Sequence, residues 1–364
     1  MRIRAAEVTE LRWRLAAPLR TSRGAIHERR GLALRLIAES GAAGLGEASP
    51  AAWVGAEDLE AARASLEEIA ALCGAGAAWA ERDLADVLGG RLTPAAAAAL
   101  DGALLDLAAR ERGLAVADLL AASDAPARRA AASVAVSALL VEASEPAAAR
   151  EAAARAAQGF ATCKLKVGEP SPEADLRRIA AVSRALPPSA RLRLDANRAW
   201  SAAEADRFFA RLDASRVEFV EEPLADPVPA ALAALRDRHG IPVALDESIA
   251  SAAALEELAA ARALDVVVVK GARLGGLRPA FRLARRARDL GLGVVVTDSL
   301  EGPIGMAAAI ELAAALPERR RAVGLAGARL LESAVVPAWL RAARIALPCP
   351  RPSLPAGRTE GLDA

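Results

Sequence analysis

The sequence predicts an α/β protein: a (β/α)8-type TIM barrel over residues 131–335, preceded by an α+β domain over residues 1–130 that the tail 336–364 completes. Three observations predict it. From about residue 133, short β-branched runs alternate with Ala/Leu/Arg-rich helical stretches. Charged residues recur at the ends of successive runs, one βα unit apart. The first 130 residues show neither feature. Strands alternating with helices build a parallel sheet, and eight such units close a barrel.

The leading domain opens on two strand-like runs, "RIRAAEVTELRWRL" and "RGLALRLIAES". Helices follow in "EDLEAARASLEEIAAL" and "PAAAAALDGALLDLAARERG", where the polyalanine reads as helix and not as low complexity. The barrel strands are "SVAVSALL", "ATCKLKVG", "RLRLDAN", "VEFVEEP", "PVALDES", "VVVVKGAR", "GVVVTDS" and "AVGLAG". Between them, "SPEADLRRIAAVSRAL" and "SAAEADRFFARL" open on serine in N-cap position. An open doubly wound sheet would carry a glycine fingerprint after its first strand, and this chain has none. The tail, rich in proline and arginine, is expected to pack back on the first domain.

Composition narrows the function classes. Hydrophobic residues make up 54% and charged residues 26% of 364, as in a globular protein with a sizeable core. The net charge is +1 with both signs mixed throughout, so no basic surface for nucleic acid is expected. No run approaches the length of a membrane span. Charges fall where a leader peptide would need an apolar run, and three scattered cysteines read as a reduced, cytoplasmic protein. Two histidines and no tyrosine leave acid–base chemistry to lysine and carboxylates.

Lysine is the informative residue. Of 47 basic residues only Lys164, Lys166 and Lys270 are lysines. A guanidinium stays protonated at any working pH, whereas an ammonium can lose its proton when buried or crowded. Lys164 and Lys166 lie on the second barrel strand and project to one face. Asp195 ends the third strand, Glu221 and Glu222 the fourth, Asp246 and Glu247 the fifth, and Lys270 the sixth; Ser299 and Glu301 follow the seventh. Lys166, Asp195, Glu221, Asp246 and Lys270 are separated by 29, 26, 25 and 24 residues, about one βα unit each. They therefore share one height, at the C-terminal mouth where barrel active sites are built. Three carboxylates converging there repel one another unless a cation neutralises them. Oxygen ligands without Cys or His select Mg²⁺, with Mn²⁺ as the alternative.

Taken together, "KLKVG", "LRLDANRAW", "VEFVEEPL", "PVALDESI", "VVVVKGARLGG" and "TDSLEGPIG" resemble the enolase superfamily, muconate-lactonizing subgroup, and within it the o-succinylbenzoate synthase family. The first domain adds "RTSRG" and "GLGEASP", similar to that superfamily's capping domain. The resemblance implies an enolase-like fold and a small carboxylate substrate, with room for a homo-oligomer. Lys166 becomes the acid–base group and Lys164 an electrostatic support. Asp195, Glu221 and Asp246 become the metal ligands. Lys270 stabilises the enolate from the opposite face. The backbone around Ser299 and Glu301 holds the substrate carboxylate, and Asn197 touches the metal's surroundings or the substrate. Thr21, Ser22 and Arg23 form a specificity loop over the mouth. The implied reaction is dehydration of 2-succinyl-6-hydroxy-2,4-cyclohexadiene-1-carboxylate to 2-succinylbenzoate in menaquinone biosynthesis. A lysine base must be neutral near pH 7, and a like charge beside it disfavours its protonated form.

An N-acylamino acid racemase is the nearest alternative, because lysines on opposite faces also serve a 1,1-proton transfer. A dipeptide epimerase would carry an Asp-x-Asp pair on the eighth strand, where this chain reads "AVGLAG". A muconate-type cycloisomerase remains on the same scaffold. An acid-sugar dehydratase would need a histidine on the sixth or seventh strand, and none is there. A non-catalytic scaffold would have lost a ligand or a lysine, and none is missing.

Overall fold

The computed structural model describes residues 1–21, 24–51, 57–74, 79–80, 90–125, 128–168, 171–317, 321–352 and 354. It begins as a hairpin of two long antiparallel strands, β1 (Arg2–Thr21) and β2 (Gly24–Ala38). Alternation along β2 buries Leu32, Leu34 and Leu36 completely, while Arg35 on the other face pairs with Glu7 of β1 at 2.9 Å. β3 (Ala43–Ala48) and β4 (Trp79–Ala80) complete a four-stranded sheet in the order β3-β2-β1-β4. Helices α1 (Leu59–Gly74), α2 (Pro94–Arg112) and α3 (Val116–Asp124) follow in this domain.

α2 starts where the Thr93 hydroxyl accepts the Ala96 N–H at 3.4 Å with proline at the first helical position, and it stops at Gly113 with φ 64°. Its Ala99 and Ala103 carbonyls lie almost against β3. A Cβ on Gly46 would come within 1.8 Å of the Ala99 oxygen, and one on Gly44 within 2.2 Å of the Ala103 oxygen. The sequence reading did not mark β3 as a strand. Its two glycines depress strand propensity, and the same glycines permit this contact.

The barrel strands are β5 (Ser133–Leu140), β6 (Thr162–Lys166), β7 (Arg191–Asp195), β8 (Val217–Glu221), β9 (Val243–Leu245), β10 (Val266–Val269), β11 (Gly293–Val296) and β12 (Val323–Gly324). Each coincides with one of the eight runs. Seven are hydrogen-bonded in chain order, β12 pairs in parallel with β5, and Thr297 bridges Gly324 beside β11. The ring of eight parallel strands thus closes. Around it lie α4 (Glu145–Ala157), α5 (Pro172–Ala185), α6 (Ala202–Phe209), α7 (Pro229–His239), α8 (Ala252–Ala260), α9 (Leu277–Asp289), α10 (Pro303–Ala315) and α11 (Ala326–Leu330). Ser171, Ser201 and Ser251 cap α5, α6 and α8, with a full capping box between Ser201 and Glu204. Inside the barrel Phe219, Ala244, Val266, Val268 and Val295 form a dry plug, and the Arg193 guanidinium lies 5.2 Å from the centre of the Phe219 ring.

The tail departs from expectation. β13 (Arg344–Ala346) pairs antiparallel with β5, so it packs first on the barrel. β12 is only two residues long and leaves the first residues of β5 without a neighbour, and β13 supplies one. Arg351 then reaches the first domain, donating to Asp106 at 3.1 Å and to the Leu114 carbonyl at 2.8 Å. All three cysteines are free and buried. Among the described residues no helix is long and apolar enough to cross a membrane.

Candidate active site

Strand register places the charged residues. Lys166, Asp195 and Glu221 are consecutive register partners across β6, β7 and β8, and Glu221 pairs onward with Ala244 of β9. They share a face because period-two alternation carries Phe219 of the plug to Glu221, Ala244 to Asp246 and Val268 to Lys270. Asp195, Glu221 and Asp246 are 1%, 2% and 4% exposed.

Ion pairs organise this cluster. Lys164 Nζ donates to Glu221 Oε2 at 2.7 Å and lies 2.8 Å from Asp195 Oδ2. Lys166 Nζ donates to the same Asp195 oxygen at 2.7 Å, so one oxygen holds two ammonium groups side by side. Lys166 also donates to Asn197 Oδ1, and the Asn197 N–H donates to Asp195 Oδ1 at 3.1 Å. Asn197 and Arg198 have φ of 43° and 61°, and this left-handed turn folds Asn197 back toward the strand end. Across the mouth Lys270 donates to Asp246 Oδ2, and Arg273 donates to Asp246 Oδ1 at 3.0 Å. The Lys166 side chain is half exposed, whereas those of Lys164 and Lys270 are mostly buried.

The electrostatics follow from burial. Burial alone would push the Lys164 ammonium down, but Asp195 and Glu221 outweigh it and hold it well above the usual lysine range. Burial, with the charges of Asp195 and Asp246, pushes the Glu221 carboxyl up to about 7. Glu247 is raised by burial and by Asp246, and its buried Oε2 has no hydrogen-bond partner. Asp195 and Glu221 already share one cation, a lysine ammonium, and an orphan carboxylate oxygen stands beside Asp246. This all-oxygen donor set fits a hard divalent cation. Among the described residues, however, no three His, Cys, Asp or Glu side chains close on a single point. Asp246 is turned toward Lys270 and Arg273.

The loop after β11 is packed. The Glu301 carboxyl is 4% exposed and accepts the Ser299 N–H, so that amide is engaged within the chain. Burial, with Asp298 and Glu47 nearby, pushes Glu301 up to about 8, and burial pushes Asp298 up to about 6. The hydroxyls of Ser299 and Thr297 are buried with no partner among the described residues. Thr21 ends β1, paired with Gly24, and is strand instead of loop. Ser22 and Arg23 lie outside the described residues.

Four supports escaped the sequence reading. Glu222, fully buried with φ 44°, accepts the N–H groups of Asp246 and Ser248, both at 2.8 Å, and so shapes the turn that carries Asp246. Arg178, paired with buried Asp175, donates to the carbonyl of Lys166. Arg273 is the second partner of Asp246. Glu47 reaches the β11 loop from the first domain. The doubled acid of "EEP" and the Arg three residues after Lys270 were visible signals; Arg178 and Glu47 gave none by spacing.

Comparison with known proteins bears on this geometry. Residues 147–352 match the family model described as enolase C-terminal domain-like, and residues 3–121 match the N-terminal domain model of mandelate racemase and muconate lactonizing enzyme. The o-succinylbenzoate synthase of Thermobifida fusca is 43% identical over 199 residues, which is 54% of this chain and 61% of that protein. The chain thus spans under two thirds of that curated relative. The dipeptide epimerase of Enterococcus faecalis V583, solved with Mg and the dipeptide L-Leu-L-Tyr, superposes with a TM-score of 0.80 at 26% identity, over 92% of each chain. The N-succinyl Arg/Lys racemase of Bacillus cereus ATCC 14579 superposes with a TM-score of 0.77 at 24% identity, over 90% of this chain and 88% of that one. The racemase likeness is one of fold.

Proposed function

This chain belongs to the enolase superfamily, with its enolase-like barrel and capping domain, and from that premise we propose that it is an o-succinylbenzoate synthase. The reaction is dehydration of 2-succinyl-6-hydroxy-2,4-cyclohexadiene-1-carboxylate to 2-succinylbenzoate and water, in menaquinone biosynthesis. The observation that carries the reading is the placing of Lys166 and Lys270. They end strands four steps apart in a closed ring of eight, and so face each other across the mouth with the three acid-bearing strands between them. The likeness to the Thermobifida fusca synthase supports the choice of reaction.

In this mechanism Asp195, Glu221 and Asp246 hold a divalent cation, Mg²⁺ or Mn²⁺. Bound there, it supplies positive charge that offsets the charge gathering on the substrate carboxylate as the adjacent proton leaves. Lys166, the most open of the three lysines, takes that proton and returns one to the departing hydroxyl. Asn197 fixes the Lys166 ammonium by accepting from it. Lys164 keeps Asp195 and Glu221 together and lends positive charge beside the substrate carboxylate. Lys270, from the other side, stabilises the enolate. The hydroxyls of Ser299 and Thr297 hold the carboxylate. The product ring is aromatic, so elimination is intrinsically favourable.

A second reading, N-acylamino acid racemase, is favoured by the same opposed lysines, since one can remove the proton and the other deliver it. The eighth strand, Val323–Gly324 followed by Leu325, has no acid for a substrate ammonium, which speaks against dipeptide epimerisation. Turnover of the cyclohexadiene carboxylate with Mg²⁺ and with chelator, beside racemisation of N-succinyl amino acids, tests the two. Fast metal-dependent dehydration with little racemisation is expected; racemisation alone would move the assignment to the second reading.

A further inference from the structure

The first domain grips the loop after β11 with one residue from each of its first three strands. Trp13 of β1 and Arg29 of β2 are register partners, and Glu47 lies on β3. All three are buried. Trp13 packs so closely on Gly302 that a Cβ there would come within 2.2 Å of its ring. Arg29 donates to the Leu300 carbonyl at 3.1 Å and to the Ser49 and Pro50 carbonyls of its own domain at 3.1 and 3.0 Å. Glu47 accepts the Gly302 N–H at 2.7 Å and the Gly305 N–H at 2.9 Å, and Ser49 holds it with a hydroxyl at 2.6 Å.

α10 begins at Gly302, which has no side chain to cap it. Its first N–H groups need an acceptor, and the helix N-terminus favours an anion. Glu47 meets both needs across the domain boundary. The segment it fixes is Ser299–Gly302, where Leu300 holds φ 65°, a conformation a free leucine rarely adopts. Two partners maintain it: Arg29 at the Leu300 carbonyl and Glu47 at the next amide but one.

We propose that Glu47 is a positioning residue for the substrate carboxylate: by capping α10 from the first domain it sets the Ser299–Gly302 loop at the mouth. This rests on the reading that this loop holds the carboxylate. Glu47 touches neither lysine nor acid of the cluster, so its removal alters how substrate is held and leaves the proton transfers intact.

The test compares wild type with Glu47→Gln, Glu47→Ala and Arg351→Ala. The last breaks a different contact of the first domain, the one the tail makes with Asp106 and the Leu114 carbonyl. Steady-state kinetics on whichever carboxylate the wild type turns over, the cyclohexadiene or an N-succinyl amino acid, are read beside amide hydrogen exchange of residues 299–305. Glu47→Ala should raise KM about tenfold, the scale of a lost charged hydrogen bond, with kcat within about threefold. Glu47→Gln keeps one acceptor and should fall between. Exchange at 299–305 should rise in both, with KM and exchange unchanged in Arg351→Ala. Unchanged KM and loop exchange in Glu47→Ala would overturn the proposal, and so would an equal KM rise in Arg351→Ala, which would mark a general docking effect. Turnover of the N-succinyl amino acid alone would refute the synthase reading while the KM shift on that carboxylate still upheld the role of Glu47.

Discussion

Lys164 Nζ lies 2.7 Å from Glu221 Oε2, inside a barrel mouth where Glu221 is 2% exposed. The same ammonium holds Asp195, so one lysine screens two acids on neighbouring strands. Removing one partner of a buried pair leaves an uncompensated charge and costs about 3–5 kcal/mol. In chelator, Lys164→Ala should lose about 3 kcal/mol of stability in urea unfolding, and Mg²⁺ should restore part of it by occupying the same acids. An identical loss with and without Mg²⁺ would separate the lysine from the metal site.

Glu222 bears on metal binding without being a ligand. It holds the Asp246 and Ser248 amides through one oxygen, and through the other it accepts from the Ser248 hydroxyl at 2.8 Å and from Arg198 at 3.2 Å. Partners of this kind typically contribute a factor of about 10–100 in metal affinity. Titration calorimetry of Glu222→Gln with Mg²⁺ should show a loss in that range, with the fold retained. Wild-type affinity would mean that the Asp246 turn holds itself.

The acid group around Glu301 makes stability depend on pH. Burial raises its folded pKa to about 8, above the ordinary carboxylate value an unfolded chain has. The folded protein therefore holds a proton that the unfolded chain releases, and this contribution is complete at low pH. It is lost as pH rises through about 8, with a slope of up to about 1.4 kcal/mol per pH unit between the two values. Unfolding free energy should fall between pH 6 and pH 8. Glu301→Gln, which keeps an acceptor for the Ser299 amide, should flatten that fall. An equally steep fall in the variant would place the titration on another group.

Gly46 tests the seam between β3 and α2. A methyl there meets the Ala99 carbonyl, so strand or helix must shift. Overpacking of this kind costs about 1–3 kcal/mol. Gly46→Ala should lower the unfolding midpoint accordingly, and an unchanged midpoint would show that the seam opens freely.

Much of this architecture was legible in the sequence, and the reasons are physical. The barrel strands are short apolar runs set between helices, and the clearest, Val266–Val269, is β-branched throughout and buried on both faces. Lys164, Lys166, Asp195 and Lys270 were legible because charge at the end of an apolar strand is rare, and because this chain otherwise uses arginine. Residues that act through the backbone were not legible. Glu222 looks like an extra acid in a turn, and Glu47 gains meaning only when β3 lies beside α10, 255 residues away along the chain. β13 was missed because three residues of "RIA" carry no pattern, and only the shortness of β12 makes room for them.

Lys166 is the acid–base group on which the proposed dehydration depends. The most direct measurement is the dehydration rate of Lys166→Arg beside wild type, with Mg²⁺ and saturating cyclohexadiene carboxylate. Arginine keeps the charge facing Asp195 but cannot give up its proton. Lys166→Arg should lose about 10³-fold in kcat, within the range for a missing acid–base group, with the unfolding midpoint and Mg²⁺ affinity close to wild type. A variant that keeps kcat within about tenfold of wild type would contradict that role and remove Lys166 from the chemistry.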